Sequence, residues 1–218
     1  MRKLVGLSLA LVVVALAGCA TTGHKNYEAF KAADPHSILI VPVVNRTTNV
    51  DAPDYFLSTV TIPLAEKGYY VFPVNLVKRS LEDDGLSDAD MVHSASTAKL
   101  CGLFGSDSVL YVSIERWDAR WALLSTTVTV GLSYAIKDCK TEQVIWEQKE
   151  TMVYTPQGSN SGNVLGDLIA DVVTAAIAKA APNYMPLAIQ ANARAFQPAG
   201  TGIPAGPYHG LYKKDGYY

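Results

Sequence analysis

Apolar and polar positions divide the chain into segments with different periods. Ser37 to Val44, SILIVPVV, is a continuous apolar run between Asp34-Pro35 and Asn45-Arg46. Such a run predicts a strand buried on both faces, with Pro42 near an edge or a bulge because it cannot donate to a ladder. Leu57, Val60 and Leu64 then share one face of a helix predicted over 52–67. Asp51 is its cap, Pro53 lies in its first turn and Gly68 ends it. Pro63 removes a hydrogen bond inside that helix and is expected to kink it. YYVFPV at 69–74 is a second strand, and strand, helix, strand at this spacing is a βαβ unit with parallel pairing. Helices are expected over 75–84 and within 89–104, the latter ending before Gly105.

Beyond Gly105 the period changes to two. Leu110, Val112 and Ile114 alternate within 109–116, and Val128, Val130, Leu132, Tyr134 and Ile136 alternate within 126–136. Another alternating run covers 143–154. Three such runs in succession predict an antiparallel meander. A polar connector, TPQGSNSGN, leads into the most regular helical period in the chain, 164–181, which Pro182 ends. The predicted fold class is therefore α/β: a mixed sheet, a βαβ unit followed by an antiparallel meander, with packed helices.

The start of the chain has a different character. Residues 1–18 combine Arg2 and Lys3, an apolar stretch from Leu4 to Leu16 and the small residues Ala17 and Gly18, the layout of a secretory signal. The apolar stretch is shorter than the roughly 20 residues of a bilayer-spanning helix. Leu16-Ala17-Gly18-Cys19 resembles the bacterial lipobox, which implies acylation of Cys19 and an exported, membrane-anchored lipoprotein. In the enterobacterial lipoproteins it resembles, aspartate after the cysteine signals inner-membrane retention. Ala20 stands there instead, so the expectation is the outer membrane, facing the periplasm. Residues 19–35 are expected to be a lipid-anchored tether, 36–196 one α/β domain, and 197–218, rich in Gly, Pro and Tyr, a disordered tail.

Composition narrows the function. Without Arg2 and Lys3 the basic count falls from 18 to 16 against 20 acidic residues, giving −4. No basic stretch provides the footprint of a nucleic-acid binder. Cys101 and Cys139 lie in a predicted helix and a predicted turn. An exported protein can form disulfides, yet two separate unpaired thiols are the expectation. No Cys/His spacing suggests zinc, and no metal or cofactor is expected. His93 has Asp90, Ser94 and Ser96 close in sequence, but helix capping by Ser94 or Ser96 is the plainer reading of that group. Glu82, Asp83, Asp84, Asp88 and Asp90 fit no calcium loop and read as a solvated helix end. Glu115, Arg116, Asp118 and Arg120 surround Trp117 and Trp121. They describe either a charged, aromatic hairpin tip suited to a protein partner or an exposed tip with local ion pairs. Arg116, Trp117 and Trp121 are the candidate partner-binding residues. A pore-forming hairpin over 107–137 is disfavoured by Glu115, Arg116 and Asp118.

DPHSILIVPVVNRT at 34–47, LSTVTIPLAEKGYYVFPV at 57–74 and the late apolar helix resemble a family of Gram-negative lipoproteins of this size. Their fold is similar to that of the TolB amino-terminal domain, the CsgG curli-secretion lipoprotein and LpoB-type activators. The resemblance covers the mature chain apart from its tail, and it brings no catalytic residues. It implies a non-catalytic accessory or adaptor in an envelope transport, secretion or assembly complex, perhaps beside a CsgG-like lipoprotein. Two other readings stand beside it: an envelope enzyme or small-ligand carrier, and a structural lipoprotein that forms homo-oligomers through 164–181.

Overall fold

The computed structural model describes residues 25–122, 125–154 and 184–217. Cys19 and the helix expected over 164–181 lie outside these residues. The six strands are β1 (Ser37–Ile40), β2 (Val44–Asn45), β3 (Tyr70–Val71), β4 (Ser108–Ala122), β5 (Ser125–Asp138) and β6 (Val144–Tyr154). They form one sheet in the order β3-β1-β4-β5-β6, with β2 beside β4. β1 runs parallel to β3 and β4, and β4, β5 and β6 are antiparallel. This is the expected mixed sheet of a βαβ unit followed by a meander. Val41, Pro42 and Val43 separate β1 from β2, and both pieces pair with β4. Pro42 thus falls in the break that its missing N–H requires.

Helix α1 (Glu28–Ala33) precedes the sheet. Helix α2 (Ala52–Glu66) forms the crossover, with Pro63 inside it and not ending it. Helices α3 (Val74–Asp83), α4 (Ala89–Ser94) and α5 (Thr97–Phe104) follow β3, and α6 (Met185–Phe196) comes after the meander. The helix expected within 89–104 is two helices, because Ser96 adopts an extended conformation and its hydroxyl caps α5 at Lys99 N–H.

One sheet face packs on α2 and α6. Val128, Val130, Leu132, Tyr134 and Ile136 all turn to it and bury with Phe56, Leu64 and Phe196. The other face carries α3, α4 and α5 over Leu39, Val41, Val109 and Tyr111 only. These three helices stop at β4, so the outward side of β5 and β6 has no helical cover.

Three expectations are corrected. Cys101 and Cys139 are bonded, with their Cα atoms 5.9 Å apart. The N–H of Cys139 donates to Asp107 C=O at 3.0 Å, which seats the β5–β6 turn against the end of α5 and brings the two sulfurs within reach. The segment expected to be a tether contains α1, whose Phe30 is 1% exposed. The segment expected to be a disordered tail is packed against α1 and the end of α2. Tyr217 meets Tyr27 edge-on at 4.7 Å, and Tyr27 donates to Gly202 C=O at 2.6 Å. Gly206 N–H reaches Lys67 C=O at 2.7 Å, and Tyr208 N–H reaches Gly68 C=O at 3.0 Å. A Cβ on Gly206 would lie 2.5 Å from Gly68 O, so the glycines that read as disorder serve close backbone approach here.

Candidate functional site

A trough of about 540 Å³ lies where the helical layer ends, between α4 and the outward side of the meander. Two cross-strand rows make its floor: Tyr111, Ala135 and Glu147, and beside them Ser113, Ser133 and Lys149. Strand alternation puts these side chains on one face while Val112, Tyr134 and Leu132 go to the core. Lys137 lies above the Tyr111 ring, its Nζ 4.9 Å from the centroid. His93 forms the wall, edge-on to Tyr111 at 5.1 Å.

Local chemistry fixes these groups. His93 Nε2 lies 3.0 Å from Pro42 C=O. A carbonyl only accepts, so Nε2 is the donor and carries a hydrogen. Burial holds the His93 pKa below its ordinary value, opposed by that hydrogen bond and by Asp90. Burial raises the Tyr111 pKa, with the hydrogen bond to Thr97 acting against it. Glu142 at the rim is held low by Ser96 O–H at 3.0 Å and by Ala98 N–H. The result is a shallow polar surface with both charge signs, Lys137 and Lys149 against Glu147.

The residues singled out in the sequence do not converge. Arg116 is exposed and lies 3.4 Å from Asp118. Trp117 is 3% exposed and packs edge-on against Tyr184 at 5.8 Å, so it is not available at the surface. A bulge between Ile114 and Arg116 shifts the alternation by one residue, turning Trp117 inward where strict alternation would have turned Arg116 inward. The Trp121 backbone pairs with Thr126, and its side chain is outside the described set. Near His93, Ser94 donates to Asp90 C=O and Ser96 caps α5, so neither faces His93 as a nucleophile. Asp88 caps Met91 N–H, Asp90 pairs with Arg46 and Asp83 with Arg79. Among the described residues no group of three His, Cys, Asp or Glu could hold a metal, and no helix is long and apolar enough to cross a membrane. The trough residues were missed because polar positions in a strand give no period of their own. Their signal was the complement of the apolar alternation.

The fold and trough define a class, a mixed-sheet α/β domain with one meander face open. The family model described as Putative lipoprotein GNA1162-like matches residues 25–208, including α1 and most of the segment after α6. The chain belongs to this GNA1162-like lipoprotein family. It is 33% identical to the Neisseria meningitidis serogroup B protein described as Putative lipoprotein NMB1124/NMB1162, over 74% of this chain and 75% of the relative. It is similar to the crystal structure of lipoprotein GNA1162 from Neisseria meningitidis, with a TM-score of 0.56 and 32% identity, covering 66% of this chain and 99% of that one. A more distant likeness is to the LpoB C-terminal domain from Salmonella enterica, with a TM-score of 0.38 and 20% identity over 57% of this chain and 91% of that one.

Proposed function

We propose that this chain is an exported lipoprotein acylated on Cys19. In this reading it is held on the outer membrane facing the periplasm, and acts as a non-catalytic accessory or adaptor in an envelope transport, secretion or assembly complex. Membership of a lipoprotein family and the Leu16-Ala17-Gly18-Cys19 stretch support the anchor. The observation that carries the adaptor reading is the open outward side of β5 and β6. A sheet face with Ser133, Glu147 and Lys149 presented to solvent offers cross-strand hydrogen bonds and both charge signs to a protein surface.

The test is a cross-linked pull-down of the full-length lipoprotein from gently solubilised envelopes. The expected result is specific recovery of other envelope proteins that is lost with Cys19→Ser and weakened with Lys149→Glu. Recovery of the protein alone would overturn the adaptor role in favour of self-assembly. The volume of the trough favours a small-ligand carrier as the second reading. Native mass spectrometry would then show a bound molecule on wild type that a Tyr111→Ala variant lacks.

A further inference from the structure

We infer that the end of the molecule bearing Ile62, Tyr70 and Tyr208 lies against the lipid headgroup layer, with the β4–β5 hairpin pointing away from it. This rests on acylation of Cys19 as proposed above. Five residues, 20–24, separate Cys19 from Lys25, where the described fold begins. Fully extended, this stretch spans about 20 Å. Lys25 is therefore held within about that distance of the anchored cysteine.

Lys25 and α1 sit at one end of the sheet. Asp34 caps α1 and is followed at once by β1. His36 N–H and Ser37 N–H both donate to Asp107, at the start of β4. From there β4 runs 15 residues to Ala122, which at the rise of a strand is about 50 Å. The hairpin tip is thus at the end remote from the anchor.

An apolar patch is exposed at the anchor end. Ile62 is 61%, Tyr70 51% and Tyr208 76% exposed, and they border a predominantly apolar groove of about 560 Å³. The patch adjoins α1 and the residues that link it to β1. The Tyr69 ring lies 6.4 Å from Phe30, and Tyr70 N–H donates to His36 C=O at 3.1 Å. Leu211, 53% exposed, continues it along the packed C-terminal segment.

The tether length decides what covers this patch. A folded partner of about 30 Å does not fit between the patch and a bilayer that the protein must approach to within about 20 Å. A headgroup layer does. Tyrosine suits that layer, because its ring is apolar and its hydroxyl polar. Lys213 and Lys214 beside the patch can extend their stems over apolar surface and keep their charge in water.

The full-length protein would be reconstituted in phosphatidylethanolamine–phosphatidylglycerol vesicles containing lipids with nitroxide-labelled headgroups. A bimane probe would be placed on Ile62→Cys, on Tyr208→Cys, and on Val153→Cys. Val153 is exposed and pairs with Thr129 far from the anchor end. Cys101 and Cys139 are bonded, so the introduced thiol is the reactive one. Intact mass is read first. An acylated protein whose probes at 62 and 208 lose emission while the probe at 153 keeps it supports the assignment. An acylated protein with unquenched probes at 62 and 208, or with equal quenching at 153, overturns it and leaves the anchor standing. An unacylated protein overturns the anchor, and this orientation with it.

Discussion

The two faces of the meander differ in what holds them. On the inward face Val128, Val130, Leu132, Tyr134 and Ile136 pack on α2 and α6 as one continuous apolar layer. On the outward face Ser133, Ala135 and Lys137 alternate with those same residues, and the helical cover ends at β4. The smaller apolar cluster under α3, α4 and α5 is supplemented by the Cys101–Cys139 bond. The termini, which lie together at one end, are held by tyrosine contacts and the Asp34–Lys213 pair. Apolar burial secures the inward face. Covalent and polar links secure the outward helices and the termini, and the remaining outward surface is left for binding.

Neighbouring residues on β5 give the strongest test of this contrast. Leu132 is 2% exposed, so Leu132→Ala should cost about 2–5 kcal/mol through lost burial and a residual cavity. Ser133→Ala, one residue along on the open face, should stay within about 0.5 kcal/mol. Chemical denaturation of both variants measures the difference, and similar losses would break the contrast between the faces. The disulfide comes next. It links residues 38 apart, and the chain-entropy argument gives about 4 kcal/mol for a loop of that length. Reduction, or Cys101→Ala with Cys139→Ala, should lower the denaturation midpoint accordingly. An unchanged midpoint would mean that the outward helices need no covalent tie.

Much of the inward face was legible in the sequence because burial on one side of a strand imposes a period of two. The βαβ unit was equally plain, since SILIVPVV and YYVFPV flank a helix with its own apolar stripe and a glycine stop. Where the signal failed, a competing local effect had replaced it. Ile114 and Trp117 are three residues apart, and that spacing, where two was expected, is the trace of the bulge that buries Trp117. Pairing of Cys101 with Cys139 depends on a turn meeting a helix end through Asp107, which spacing in the chain cannot encode. The segment after Phe196 has the composition of disorder, but its glycines permit backbone contact and its tyrosines cap a core. Of the candidate site, the polar alternation was visible, whereas its border with α4 depends on where three short helices end.

Asn192 sharpens the comparison from inside the apolar layer. It is fully buried, accepts from Tyr134 O–H at 2.7 Å and donates to Thr59 Oγ1 at 2.9 Å. Burial and the nearby Glu150 charge keep Tyr134 protonated, so it remains a donor. Asn192→Leu strands the Tyr134 hydroxyl in an apolar setting and should cost about 1–3 kcal/mol. Adding Tyr134→Phe should recover part of that cost, because the stranded donor is then removed. A double variant no better than the single one would mean that the loss comes from packing and not from the hydrogen bond.

The smallest effect belongs to the clasp between the termini. Asp34 is held below the ordinary aspartate pKa: burial pushes it up, but Lys213 at 2.7 Å, the Tyr212 hydroxyl at 2.7 Å and His36 outweigh that. A carboxyl with a lower pKa in the folded state binds fewer protons there than in the unfolded chain. Its contribution is therefore complete above the ordinary aspartate value, near 4, and is lost as pH falls through the lower folded value. Solvent exposure of both partners keeps the contribution small. Wild-type stability should decline more steeply than that of Lys213→Met between neutral pH and strong acid, and the two should converge at the acid limit. Parallel profiles would show that the charge pair adds nothing, leaving the Tyr27–Tyr217 contact and the close approach at Gly206 as what holds the C-terminal segment to α1 and the end of α2.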